Sequence, residues 1–486
     1  MVLLSRRTML IGAAAAAAAT VPLNQLAHSQ SLRTRFNATT PEGKDMLGIY
    51  ADVVAIMKKL DGSLSSSWTF QWFTHWVNGD SQKLAELNAH FGAASSPARD
   101  LAVIMWDSCQ AHYSNDRDAD FLPWHRACVY CFETIVRTVS GRDEFTLPYW
   151  DYTNDGVIPE EFRMENDPRF GVLYEQRRKS GPNGGNSIAA PSINLDALAE
   201  TSYLPQGMRE GFNGKLDGGL HGNVHVDVGG QKNMGVIRYA ARDPLFWIHH
   251  CNIDRIWAAW NVVEGRQNPT DSAWLQSRHT FADASGPNGY SGVRVDFSNG
   301  DVTTTEQLSY VYDLLPGQAA NLPPIRIFSG GARQIPIAQS DGAVQLGSGT
   351  TEVTLSRNSD EARDSVEMLR DENTNLYLIL SGLRTNLPPD TVFLIYANRV
   401  GAAPEEGIYV GSVNFFDAEP NDSNEFKFIE RRIDITAAIA AAAADVETVD
   451  AYTYAFVPKD ELNPDALPTI GIVGLVKESG ERLPNA

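Results

Sequence analysis

Apolar residues along the first three hundred positions recur at helical spacing, and along the last hundred and forty they alternate. Met46, Ile49, Val53, Ile56 and Leu60 repeat every three or four positions. Thr40 and Pro41 supply an N-cap and a first helical residue ahead of them, so a helix is predicted to start there. Ser65 to Ser67 interrupt it, and the aromatic stretch 68–76 follows. Cys128, Cys131, Phe132, Ile135 and Val136 mark the apolar face of a second helix that opens near Pro123. Ile253, Ile256, Trp257 and Trp260 mark a third, behind the apolar run 244–248. Residues 153–219, rich in Gly, Pro, Asn and charge, have little period and read as long loops framing a site entrance.

Beyond position 316 the pattern changes. Residues 316–349 are rich in Pro, Gly, Gln and Ser and read as a linker or covering loop. The stretches 376–381, 392–396, 408–416, 451–457 and 470–476 read as strands, with an alanine-rich helix at 434–446 between them. The pattern implies a mainly α domain over 30–320, a linker over 321–348 and a β-rich C-terminal domain over 349–486. There are no internal repeats.

A chain of 486 residues is long enough for two cores of this kind. The formal net charge of −20 argues against nucleic acid and anionic membrane surfaces as partners, and reads as solubility. Residues 1–29 carry Ser5-Arg6-Arg7, an apolar alanine-rich run to about Leu23, and a cleavable Ala27-His28-Ser29. This reads as a twin-arginine export signal. It predicts a bacterial chain carried folded by the twin-arginine translocase to the periplasm or beyond, with no other membrane contact. Past it, no apolar run is long enough for a membrane span. Cys109, Cys128, Cys131 and Cys251 all fall in helical segments, which disfavours a disulfide framework, and the i, i+3 pair Cys128/Cys131 reads as packing.

Candidate chemistry lies in the histidines. His221 and His225 stand four residues apart, on one face of a helical turn, and His249 and His250 follow after a glycine-rich loop. Imidazole donors suit copper, zinc or iron rather than calcium or magnesium. His75, His112 and His125 make a second cluster upstream, and three histidines per cluster on helical segments fit two metal ions between four helices. A zinc hydrolase is disfavoured because HGNVH lacks the glutamate of HExxH. Carboxylate-bridged di-iron is disfavoured because ExxH pairs are missing from the bundle helices.

The segments FLPWHR (121–126) with Glu133, HGNVH (221–225) and DPLFWIHHCNIDRIW (243–257) resemble the two copper signatures of the tyrosinase, catechol oxidase and polyphenol oxidase family. FTLPYWDY (145–152) and the tyrosine motif SYVYD (309–313) resemble it too, and the C-terminal strands resemble the β-rich domain of plant-type polyphenol oxidases. The resemblance implies a four-helix bundle around a type 3 dicopper site, with one copper on His75, His112 and His125 and the other on His221, His225 and His250. O2 would be the co-substrate, and a small phenol or o-diphenol would be oxidised to an o-quinone. A hemocyanin-like O2-binding protein without turnover would use the same ligands and is the alternative.

The resemblance assigns further roles. The family places its first ligand in the 68–76 stretch, which favours His75 over His90. The polar interval between His112 and His125 looks like a loop insertion. His249 leaves the metal to His250 and hydrogen-bonds nearby. Phe246 stands where relatives place an aromatic over the copper, at the substrate site. Asp217 and Glu210 are candidates to hold a water for phenol deprotonation, and Asp254 to orient an imidazole or pair with Arg255. Arg126 and Glu133 read as buried-pair residues, and Cys109 either as a free buried thiol or as the partner of a copper histidine in a thioether, its spacing to His112 being one residue longer than the C-x-H of fungal forms. Gly222 stands where strongly monophenol-active relatives often have asparagine, so o-diphenols are expected to be favoured, with Asn223 or Asp217 as possible substitutes for that side chain. The C-terminal domain is expected to cover the site and hold it latent.

Overall fold

The computed structural model describes residues 32–77, 79–109, 118–189, 191–286, 290–316, 332–357, 373–398, 407–420, 424–442 and 452–480. Residues 1–29, expected from the sequence to be an export signal, and His112 lie outside the described residues.

Five of the helices in the first half position the site. Helix α1, Pro41–Met57, starts where Thr40 accepts a hydrogen bond from the Gly43 amide, with Pro41 in the first turn. Helix α2, Trp68–His75, is capped by Ser67 and ends on His75. Helix α3, Phe121–Ser140, runs to Gly141, whose left-handed φ of 67° closes the helix. A wide i→i+5 turn, Leu216–His221, leads into α4, Gly222–Val228. Helix α5, Pro244–Asn261, is capped by Asp243 and is buried on every side as far as Trp260. A helix apolar all round belongs at the centre of a fold. Here α5 packs on α3, with Trp247 stacked on Phe132 at 3.7 Å between ring centroids. No described helix is long and apolar enough to cross a membrane.

One ionic network ties the ends of this half together. Strand β1, Arg33–Arg35, pairs in parallel with Tyr310–Tyr312 near the end of the domain (β4; β2 and β3 are the hairpin Arg278–Ala282 and Arg294–Ser298). Arg35 thereby enters the core, 2.8 Å from Glu133 and 3.1 Å from Asp254. Arg126 also binds Asp254, and the Tyr310 hydroxyl donates to it at 2.6 Å. Asp254 is therefore committed to two guanidiniums and the tyrosines. It does not orient an imidazole, and Arg255 turns instead to Asp151 at 3.2 Å. A buried charge is tolerable when paired and hydrogen-bonded in this way.

The second half is an eight-stranded antiparallel sheet in the order β10-β9-β12-β7-β5-β14-β8-β11. In chain order these are β5 Arg333–Gln339, β7 Thr351–Arg357, β8 Thr374–Ser381, β9 Phe393–Asn398, β10 Ile408–Val413, β11 Glu430–Asp434, β12 Tyr452–Pro458 and β14 Ile472–Ser479. The short pair β6, Val344–Gln345, and β13, Thr469–Ile470, lies beside it. Leu376, Leu378, Leu380, Phe393, Ile395, Phe456 and Leu475 fill its core. Strand β5 falls inside the segment that composition marks as linker, so the sheet begins ahead of residue 349. Its sequence, RQIPIAQ, hides a strand because Pro336 and the polar residues break the alternation. The alanine-rich helix is seen as α6, Thr436–Ala442.

The two halves are joined by shared apolar clusters. Met208 packs with Tyr377 and Ile379, and Val226 of α4 packs with Val392 and Phe416. Around them lie Lys459 with Asp227 at 2.7 Å, Lys179 with Asp460 at 2.9 Å and Arg238 with Glu419 at 2.9 Å. The sheet is thus seated on the helix that carries His225.

Candidate metal centre

Four elements bring histidines to one place. His75 ends α2, His125 lies in the first turns of α3, His221 and His225 flank the start of α4, and His249 and His250 sit in the second turn of α5. All six are almost wholly buried. Donor atoms of His221, His225, His249 and His250 lie within 4.8 Å of one another, and so do those of His75, Cys109 and His125. The groups face each other across His125 and His250, whose rings are parallel at 4.2 Å.

Backbone and carboxylate contacts fix which ring atom points inward. His125 Nδ1 lies 2.8 Å from the Phe121 carbonyl and His225 Nδ1 2.9 Å from the Met234 carbonyl. His221 Nδ1 is held by Asp217 Oδ1 at 3.0 Å, one turn earlier in the wide turn. A carbonyl or carboxylate at Nδ1 sets the tautomer and leaves Nε2 as the donor toward a metal. Nε2 of His221, Nε2 of His225 and both ring nitrogens of His250 are buried without a hydrogen-bond partner among the described residues. Burial, and then the neighbouring imidazoles, hold His225 and His250 well below the usual histidine range. Burial thus disfavours a proton on His225 and His250, and their unpartnered ring nitrogens lie inside the cluster. Such a set is costly unless something accepts the lone pairs, and copper fits donors that are mainly imidazoles.

The other residues singled out in the sequence fall as follows. His112 is outside the described residues, so the third donor of the first cluster is not placed. His90 lies away from the cluster, 3.7 Å from Glu86 and edge-on to Trp106. The Cys109 sulfur is 3.7 Å from His125 Nε2. Phe246 packs 4.2 Å from His250 and 4.8 Å from His75, between the clusters. His249 does not hydrogen-bond nearby. Neither ring nitrogen has a partner among the described residues, and the ring lies parallel to His221 at 5.5 Å. Glu210 accepts from the Arg432 amide at 2.8 Å, so it serves the junction of the two halves rather than the histidines.

Two residues at the centre escape the sequence reading. Phe416, past the end of β10, stacks on His225 at 4.5 Å with the rings 10° from parallel, and lies 5.8 Å from His221. Asn414 lies beside Gly222. The available signal is the pair Phe415-Phe416 at a strand end. Phe415 fills the sheet's own core, so its neighbour must face elsewhere.

The chain is similar to known proteins in sequence and in fold. The profile of the common central domain of tyrosinase matches residues 65–202 and 175–263. A tyrosinase of Hahella sp. (strain CCB-MM4) is 32% identical over 303 residues, 55% of this chain and 60% of that protein. The chloroplastic polyphenol oxidase E of Solanum lycopersicum is 26% identical over 292 residues, 51% of this chain and 48% of that protein. The chain thus spans between about half and three fifths of the length of these curated relatives. Among solved structures, a latent apple tyrosinase superposes with a TM-score of 0.57 at 19% identity, covering 93% of this chain and 98% of that one. A latent aurone synthase (polyphenol oxidase) from natural source gives 0.60 at 19% identity, covering 94% and 91%. These two show that both halves share the fold. Residues 65–263, which carry all the described clustered histidines, match the common central domain of tyrosinase, and over this stretch the chain is similar to tyrosinases and polyphenol oxidases.

Proposed function

We propose that the protein is a copper-dependent oxidase that couples O2 reduction to oxidation of phenols to o-quinones, with o-diphenols preferred over monophenols. The observation that carries this is the pair of facing groups of buried metal-ligating side chains, His221, His225, His249 and His250 on one side and His75, Cys109 and His125 on the other. Two copper ions held there would supply two-electron redox chemistry toward O2 and the phenol. Each O2 takes electrons from two o-diphenols, leaving two o-quinones and two waters.

The chain's own residues orient and exclude. Met234, Phe121 and Asp217 hold three imidazoles with Nε2 inward, and Phe246 narrows the approach beside His250. The preference for o-diphenols rests on what surrounds His221. Gly222 offers no side chain, and the Asn223 amide donates to the Ser192 carbonyl at 2.6 Å and accepts from Asn414 at 2.8 Å. Asp217 is engaged by His221. These described side chains beside His221 are already engaged, which disfavours holding a base for a monophenol proton, whereas an o-diphenol depends less on one. Phe416 stands over His225, which supports a closed, latent form in which the sheet domain denies phenols access. Residues 1–29 are proposed to export the folded chain. Changing Arg6 and Arg7 to Lys should strand it in the cytoplasm, and unaltered export would remove that proposal.

The central test is metal and turnover together. His125→Ala or His250→Ala should abolish catechol oxidation and remove half or more of the bound copper. Wild-type copper and rate in either variant would sink the assignment. Reversible O2 binding without catechol turnover in the opened wild-type chain would favour the carrier instead. Comparable initial rates on a catechol and its matched monophenol would overturn the diphenol preference.

A further inference from the structure

Two glycines flank the ligand His221 where α4 and its wide turn meet the sheet domain. A Cβ at Gly218 would lie 2.5 Å from Arg431 Cζ and Nε, and one at Gly222 would lie 2.8 Å from Asn414 Oδ1 and 2.9 Å from its Nδ2. Both distances are shorter than a side chain tolerates, so each glycine is a recess filled by the other half of the molecule. The two contacts differ in how easily they yield. Arg431 is half-buried and its guanidinium is the far end of a long side chain that has room to retreat. Asn414 is buried, and its carboxamide is pinned at three points. Nδ2 donates to the Gly218 carbonyl at 2.9 Å and to Asn223 Oδ1 at 2.8 Å, while Oδ1 accepts from the backbone amide of Phe416 at 3.1 Å.

We propose that Gly222 and Asn414 form the lock that holds the sheet domain closed over the histidines. The missing side chain at 222 is the recess, and the Asn414 carboxamide is the bolt. Through its bond to the Phe416 amide, the bolt also sets the ring that lies on His225. Asn414 cannot swing aside for a side chain at 222 without giving up all three hydrogen bonds, and each would leave a buried polar group unsatisfied. Any residue larger than glycine at 222 therefore opens the closed form. This inference rests on the reading of Phe416 as the closure. It also bears on a Gly222→Asn variant, which would supply the side chain that monophenol-active relatives often have there. In the full chain that variant alters access as well as the surroundings of His221.

The test is a double-substitution cycle in the full-length chain. Gly222→Ala and Asn414→Ala should each raise the initial catechol rate without proteolysis. Each should also speed hydrogen exchange of residues 408–416 in the copper-free protein, a readout independent of turnover. Asn414→Ala introduces no clash and keeps the test alive if Gly222→Ala folds poorly. The deciding result is non-additivity. In the Asn414→Ala background Gly222→Ala should add nothing, because the atoms it would strike are gone. Full additivity, or wild-type exchange in both single variants, overturns the lock. Phe416→Ala separates the two readings. If it raises the catechol rate while Gly222→Ala and Asn414→Ala do not, only the lock fails. If it leaves the rate unchanged, the closure reading itself fails and the lock with it.

Discussion

The interior of the helical half and the seam between the halves both bury carboxylates, and they treat them in opposite ways. In the interior, burial works against the charge on Asp254, but Arg126, Arg35 and the hydroxyls of Tyr310 and Tyr312 more than offset it. The carboxyl stays below its usual range. Glu133 is held down in the same way, against burial, by Arg35, Arg137 and the Leu147 amide. At the seam the balance reverses. Burial raises Glu210 despite Arg431, the Arg432 amide and Lys215, and it raises Glu419 despite Arg238. The interior charges are multiply partnered and stabilise a permanent scaffold. The seam charges are under-compensated, so docking the sheet domain gains less than its contact surface suggests. On the proposed reading, a site that stays rigid for its metal and a cover that comes off call for that difference.

Removing an interior carboxylate should give the largest effect. Asp254→Asn would leave Arg126 buried without its anion and Arg35 with Glu133 alone, and breaking such a network costs about 3–5 kcal/mol. Denaturant unfolding of the full chain should show the loss. A change below about 1 kcal/mol, the scale of an exposed pair, would show that the interior is no better wired than a surface.

The seam should yield more gently and without unfolding. Phe416→Ala removes an aromatic ring whose burial is worth about 2–3 kcal/mol. At 1.4 kcal/mol per decade, that raises the open population by more than about tenfold. The catechol rate of the full chain should rise accordingly, while the main thermal transition stays near that of the wild type. A matching fall in that transition would mean that Phe416 supports the scaffold rather than covers the site.

The same division decides what the sequence makes legible. Helices α1, α3 and α5 announce themselves through apolar spacing and local caps, as at Thr40 and Pro41, because their partners are core residues of the same half. Histidine clusters are equally plain, since few other residue types serve that chemistry. The seam is not written locally. Strand β11, reading ERRID, has almost no apolar alternation, and β5 carries a proline. Asp254 looks like a partner for His250 one turn away, yet Arg35, more than two hundred residues earlier, claims it. Asn414 has meaning only beside Gly222, and no spacing rule links those positions.

The smallest effect, and the sharpest on the comparison, concerns the sign of the pH dependence. Glu210 is raised in the folded chain, so between its ordinary range and that higher value the folded state binds more protons than the unfolded one. Its contribution is therefore most favourable at low pH and declines as pH rises through that window. Asp254 and Glu133 run the other way. Their folded values are lowered, so their contribution is present above the ordinary carboxylate range and is lost as pH falls through the lowered values. Glu210→Gln keeps an oxygen to accept from the Arg432 amide, now 2.8 Å away, and removes the charge that burial opposes. The variant should melt slightly above the wild type at neutral pH, with a lower catechol rate because the seam is tighter. Both differences should vanish once the medium is acidic enough to protonate Glu210 in the wild type. Melting and rate curves that stay parallel across pH would show that Glu210 is compensated as fully as Asp254, and the contrast between interior and seam would then rest on geometry alone.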